Sequence, residues 1–189
     1  MATILATDRL VLRHLEEGDA PWMSEMDSDP EVMRFIAPPS VTGKPDVHPV
    51  SETEARDWVA ILTRRYVETG SRYGIFAAVR KDTDEAVGWF ILRPANEYRF
   101  AEAVEFQPDE CELGYRFLRR FWGQGYATEG ARALVEYAFA DPTMQAVVAV
   151  ALVTNGASIR VMEKAGLHRK KEYSLAGYLD AAVVYSLRR

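Results

Sequence analysis

The sequence predicts an α/β (α+β) fold, and three observations carry that prediction. Two apolar, β-rich runs are joined by a short polar turn, a strand–loop–helix–strand unit lies further on, and a second pair of strand-like runs closes the chain. With 189 residues, 48% hydrophobic and 27% charged, there is enough material for a sizeable core, so one domain over residues 1–189 is expected.

Arg9 to Leu15 alternates as a short strand, a helical stretch runs through Trp22 and Met26, and Pro30 opens another helical turn. Ala37 to Val50 holds Pro38, Pro39, Pro45, Pro49 and Gly43, an irregular loop expected to line or cover a site. Ser51-Glu52-Thr53-Glu54 is a capping box that starts a helix carrying Ala55, Trp58, Val59, Leu62 and Tyr66, stopped by Gly70. Tyr73 to Arg80 and Ala86 to Arg93 form an antiparallel hairpin around Lys81-Asp82-Thr83-Asp84-Glu85, and Cys111 to Leu118 is a further strand.

Ala131, Leu134, Val135, Ala138 and Phe139 share one helical stripe, which Asp141-Pro142 ends before the strand Ala146 to Val153. Ile159 to Ala165 reads as a short helix with Gly166 at its C′ position, and Arg169 to Leu175 with Leu179 to Leu187 as a closing hairpin. Trp22, Trp58 and Trp89 fit either the core or a pocket, the core being the default assignment.

The 23 Lys and Arg residues face 28 Asp and Glu, a net charge of −5 that argues against a broad nucleic-acid surface. No run reaches the roughly 18 apolar residues of a membrane span, and Asp8 and Arg9 interrupt what would be the apolar core of a signal peptide, so cytoplasmic residence and no membrane partner are expected. The single cysteine, Cys111, reads as a small buried strand residue rather than a nucleophile. His14, His48 and His168 have no metal-ligand spacing, and a metal-free mechanism is expected. Charge is uneven. Glu97, Glu102, Glu105, Asp109, Glu110 and Glu112 are opposed locally only by Arg99, a segment suited to a cation, whereas Arg160, Lys164, His168, Arg169, Lys170 and Lys171 form a segment suited to an anion.

Chemistry concentrates at Arg120-Phe121-Trp122-Gly123-Gln124-Gly125-Tyr126-Ala127-Thr128, between a strand and a helix. Glycine tolerates positive φ and lets a ligand approach the main chain, and the following helix adds unpaired N–H groups and its positive dipole end. Arg116, Arg119 and Arg120 add positive charge upstream. The stretch is neither the dinucleotide fingerprint, because Thr128 stands where a third glycine belongs, nor a P-loop, because the Lys-Ser/Thr ending is missing. A phosphate loop or a plain tight turn both fit at this stage.

Several ordered motifs then make the chain resemble the GNAT superfamily of N-acetyltransferases, and within it the RimJ/RimL-like branch. They are Thr7-Asp8-Arg9-Leu10-Val11-Leu12-Arg13, Glu112-Leu113-Gly114-Tyr115, Arg120-x-x-Gly123-x-Gly125-Tyr126-Ala127-Thr128-Glu129, and Asn155-x-x-Ser158 followed by Glu163-Lys164-Ala165-Gly166-Leu167. The resemblance implies a mixed, mostly antiparallel sheet with flanking helices, splayed between its fourth and fifth strands, with acetyl-CoA as co-substrate in that opening. It assigns the CoA pyrophosphate to Arg120, Gly123, Gln124, Gly125, Tyr126, Ala127 and Thr128. The pantetheine arm falls to the strand edge around Phe117 and Leu118, with Asn155 on the other side and Arg160 and Lys164 as further phosphate contacts.

The acceptor expected from this resemblance is a primary amine, either a protein N-terminus of ribosomal-protein type or a small amine, with a homodimer left open. An ammonium must lose a proton before it attacks a thioester, and Glu112, with its side chain opposite to Leu113, Tyr115 and Phe117, is the candidate base; Glu105 and Glu102 are alternatives. A strand amide near Phe117 would steady the oxyanion. The Ile159 to Ala165 helix has no tyrosine to serve as acid, and Ser158 takes that place by resemblance, its other reading being a helix N-cap. The competing function is a non-catalytic acyl-CoA sensor or regulatory module.

Overall fold

Residues 3–36, 50–67 and 70–189 are described by a computed structural model. They group into two compact units, Met1–Ile91 with Tyr115–Tyr126, and Leu92–Gly114 with Ala127–Arg189. The expected loop over 37–49 lies outside the described residues.

In the first unit the strand order is β1 (Thr3–Ala6), β2 (Leu10–His14), β3 (Gly74–Arg80) and β4 (Ala86–Pro94), the last three residues of β4 belonging to the second unit. β1 pairs antiparallel with β2, and β2 with β3. Leu10 and Leu12 bury one face of β2 completely, while Ile75 to Val79 are buried on both faces of β3, which is why β3 reads as a continuous apolar run. The predicted hairpin turn closes with the Arg80 amide donating to Glu85 O at 2.9 Å, and Asp84 adopts φ +55°, a left-handed position that aspartate tolerates. β1 was not expected.

Gly88 is required by contact. A Cβ there would lie 2.3 Å from Arg116 O and 2.7 Å from the Phe117 Cα, so β4 meets that strand backbone to backbone, with the Leu118 amide donating to Val87 O at 3.0 Å. Phe90 packs edge-on against Tyr115 and Phe117. Helices α1 (Ala20–Ser28), α2 (Pro30–Met33) and α3 (Glu52–Leu62) complete this unit. The capping box forms as expected, the Glu54 amide donating to Ser51 Oγ (3.2 Å) and the Ser51 amide to Glu54 Oε2 (2.8 Å). The α-helix stops at Leu62 and continues as a π turn over Thr63–Val67. Trp58 is exposed, contrary to its assignment to the core, because Ala55, Val59 and Tyr66 take the buried face.

The second unit has the strand order β5 (Glu110–Phe117), β6 (Ala146–Leu152), β8 (Ala182–Arg188) and β7 (His168–Tyr173), with the last three residues of β5 in the first unit. β6–β8 and β7–β8 are antiparallel and β5–β6 parallel. The β5–β6 ladder has three pairs, Glu110 with Ala146, Cys111 with Val147 and Glu112 with Val148, whereas β6 pairs with β8 along its whole length. Helix α4 (Tyr126–Phe139) buries Ala131, Leu134, Val135 and Ala138, the predicted stripe, with Phe139 half-buried. Helix α5 (Gly156–Lys164) ends at Gly166, φ +92°, where the Leu167 amide donates to Met162 O at 3.0 Å. Cys111 is a free thiol, fully buried.

Candidate active site

The glycine loop belongs to the first unit. A 3-10 turn over Arg119–Phe121 carries the chain off β5, and Gly123 and Gly125 take φ +74° and +85°, which side chains resist. Among the described residues, the N–H groups of Gly123, Gln124 and Gly125 have no main-chain acceptor, and the chain then enters α4, whose first-turn amides at Tyr126, Ala127 and Thr128 have none within the helix. A Cβ on Gly123 would meet open space. This run of amides is what a phosphate requires.

Side chains pin the loop from outside. Arg9 Nη1 donates to Gln124 O at 3.0 Å while its guanidinium lies over the Tyr126 ring at 4.6 Å, and Gln124 Nε2 donates to Arg120 O at 3.0 Å. Trp122 Nε1 donates to Phe117 O at 2.8 Å. Phe117 and Leu118 bury their side chains, so they offer a ligand only main chain, and the Phe117 carbonyl already has the indole as its donor. Two of the three upstream arginines are committed to carboxylates rather than left for an anion: Arg116 to Asp27 at 2.6 Å, and Arg120 to Glu25 and to Glu85 (3.2 Å). A pocket of about 690 Å³ is lined by Glu25, Met26, Ser28, Asp29, Leu118, Arg119 and Arg120.

The second unit holds the proton-transfer candidates. Glu112 is buried, 6% exposed, and its Oε2 accepts from Arg93 Nε at 2.7 Å. Burial pushes its carboxyl above the ordinary glutamate value, and the charge and hydrogen bond of Arg93 oppose the rise without cancelling it. The Arg93 guanidinium also sits 5.6 Å from the Tyr98 ring, and the Tyr98 phenol is pushed upward by burial and then by the Glu112 charge. Glu105 differs. Its carboxylate accepts from Tyr173 Oη (2.9 Å) and Lys171 Nζ (3.3 Å), and those bonds hold it below the usual range. Asn155 caps α5, its Oδ1 accepting from the Ser158 amide at 3.1 Å, which corrects the N-cap reading of Ser158: the helix starts at Gly156, and Ser158 is its third residue.

The acidic and basic segments also turn out otherwise than their sequence separation implied. Glu105 pairs with Lys171, Asp109 with Arg188 (3.6 Å), and the buried Glu110 with Lys170 (3.8 Å) and Arg188 (3.7 Å). Two contacts thus join the two segments, Glu105 with Lys171 and Glu110 with Lys170, while Asp109 pairs with Arg188 outside the basic one. Among the described residues, no group of three or more His, Cys, Asp and Glu side chains is placed to hold a metal, and no helix is long and apolar enough to cross a membrane.

The acetyltransferase (GNAT) domain matches residues 9–168, most of the chain. This protein belongs to the GNAT acetyltransferase family. The uncharacterized protein YkkB of Bacillus subtilis is 35% identical over 170 residues, covering 89% of this chain and 87% of that one. The FsC-acetyl coenzyme A-N(2)-transacetylase of Aspergillus fumigatus is 31% identical over 194 residues, covering 98% and 76%. The solved structure of RimL, a ribosomal L7/L12 alpha-N-protein acetyltransferase in complex with coenzyme A, superposes with a TM-score of 0.72 at 17% identity, covering 99% of this chain and 98% of that one. The fold is therefore the GNAT fold, mixed α/β with a mostly antiparallel sheet, and the family's chemistry is N-acetyl transfer. Sequence reasoning missed Arg9, Arg93 and Trp122 as supports of the loop and of Glu112. Arg9 stands in a motif, yet its partner Gln124 is 115 residues away.

Proposed function

We propose that this GNAT protein transfers an acetyl group from acetyl-CoA directly to a primary amine, as an enzyme of RimJ/RimL-like type. The observation that carries the reading is the unpaired run of amides at Gly123, Gln124 and Gly125, shaped by two left-handed glycines and followed at once by α4. Such a loop fits the pyrophosphate of a CoA thioester, and open space at Gly123 leaves room for it. The thioester supplies the activated acyl group, and this chain's residues bind it and manage protons.

Glu112 is the proton acceptor in this reading. A buried carboxylate with raised proton affinity takes a proton from an ammonium more readily than a solvated one, and the Arg93 charge and hydrogen bond moderate that rise. Glu105, stabilised as the anion by Tyr173 and Lys171, is the weaker base. Once the amine nitrogen bonds to the acyl carbon and the carbon–sulfur bond breaks, the second nitrogen proton passes to the departing thiolate through the Ser158 hydroxyl or water, the hydroxyl regaining the proton it gives. Asn155 orients that serine by holding its amide.

The pairing of Glu105, Asp109 and Glu110 with Lys171, Arg188 and Lys170 weakens the argument for a broadly cationic acceptor. It favours one recognised by a single amine, a peptide N-terminus or a small molecule. Thiol release with a panel of peptide N-termini, amino acids and polyamines tests the reading, and transfer to at least one class is the expected outcome. Tight acetyl-CoA binding with no transfer to any amine would instead establish the non-catalytic sensor, against which a buried, destabilised Glu112 stands as an otherwise uncompensated cost.

A further inference from the structure

Arg9 is exposed and contacts the glycine loop. Its Nη1 holds the Gln124 carbonyl at 3.0 Å, its plane covers the Tyr126 ring, and a Cβ on Gly125 would lie 3.3 Å from its Nη2. Gln124 is the residue between the two left-handed glycines. A trans peptide points its C=O and N–H in opposite directions, so whatever fixes the Gln124 carbonyl also fixes the direction of the Gly125 amide. Left to itself, a peptide followed by a glycine can flip and present the carbonyl, a partial negative charge, where the amide should be.

We infer that Arg9 is a positioning residue for the pyrophosphate loop: by drawing the Gln124 carbonyl to its own side it aims the Gly125 N–H the opposite way, toward the donor's phosphates. This rests on the reading of the loop as the pyrophosphate site. The guanidinium suits the task because one plane both stacks on Tyr126 and donates in the direction of Gln124, and its charge adds to the field that the phosphates meet. A lysine keeps the charge but not the stacked, directional donor, and so replaces it only in part.

The test compares two donors, acetyl-CoA and S-acetyl-pantetheine, which carries the thioester arm without any phosphate, on the parent, Arg9→Ala and Arg9→Lys proteins. With acetyl-CoA, Arg9→Ala is expected to raise KM roughly tenfold with kcat nearly unchanged, the scale of one hydrogen bond to a charged group. Arg9→Lys is expected to fall between, and kcat/KM with S-acetyl-pantetheine to stay the same in all three. Equal losses with both donors would make Arg9 a merely structural residue, and no loss with either would remove it from the loop's function; both results overturn the inference. A parent enzyme that uses the two donors equally well would overturn the pyrophosphate reading itself, and the inference with it.

Discussion

Asp19 and Glu112 are both buried carboxylates joined to an arginine, and they shift in opposite directions from the ordinary carboxylate value. Asp19 accepts two parallel bonds from Arg13 (2.8 and 2.9 Å), one from Trp22 Nε1 (2.8 Å) and one from the Glu16 amide (2.8 Å). Burial alone would raise its carboxyl, yet these donors outweigh it and hold the group below the ordinary aspartate value. Glu112 has the same kind of environment but one recorded strong donor, Arg93, and burial wins. An arginine beside a buried carboxylate thus says little until the donors are counted: four hold the carboxyl down, while one leaves it raised.

The largest effect that would break this contrast is on turnover. Glu112→Gln should lower kcat about 100-fold or more, the scale of a lost general base, with acetyl-CoA affinity by calorimetry unchanged; a loss of only a few-fold would deny Glu112 the role. Asp19→Asn should leave kcat per folded molecule intact and lower the urea-derived unfolding free energy by about 2–3 kcal/mol, because Arg13 and Trp22 lose a shared anion. The pH dependence sharpens the distinction. A depressed carboxyl contributes stability above its unfolded value and loses it as pH falls through its folded one, so the gap between parent and Asp19→Asn should close on acidification. For Glu112 the sign is reversed. Its raised carboxyl makes the ionised form a cost to folding above the folded value, so Glu112→Gln should not destabilise the protein at neutral pH.

Next in size, Arg93→Gln removes the partner that opposes the upward push of burial on Glu112, and the acid limb of the kcat/KM profile should move up by about one pH unit. Arg13→Gln should leave that limb where it is and lower only stability. The smallest expected effect is that of Ser158→Ala, a roughly five-fold drop in turnover with acetyl-CoA binding preserved, since water can replace a hydroxyl donor. Unchanged turnover would take Ser158 out of the proton path.

Much of the fold was legible because its punctuation is local. The capping box at Ser51, the polar turn at 81–85 and Gly166 each act within a few residues of themselves, and each does what its chemistry implies. β1 has four residues and half-exposed sides, too short for a period to register. The glycine loop was legible for the same local reason. Its supports were not, because Arg9 and Gln124 meet only in the folded chain, as do the acidic residues of 105–112 and the bases on β7 and β8. The contrast between Asp19 and Glu112 was equally hidden: composition shows carboxylates, and only the fold assigns donors to them.

The three-pair β5–β6 ladder has a consequence for aggregation. Among the described residues the β5–β6 ladder ends at Glu112 and Val148, while β6 stays paired with β8 through Leu152. A marginal edge with unsatisfied amides and carbonyls invites another protein's strand, a hazard that sequences counter with charges and prolines. Here Ala149-Val150-Ala151-Leu152 carries neither. Once β8 detaches, that run offers a charge-free, proline-free segment for intermolecular strand pairing.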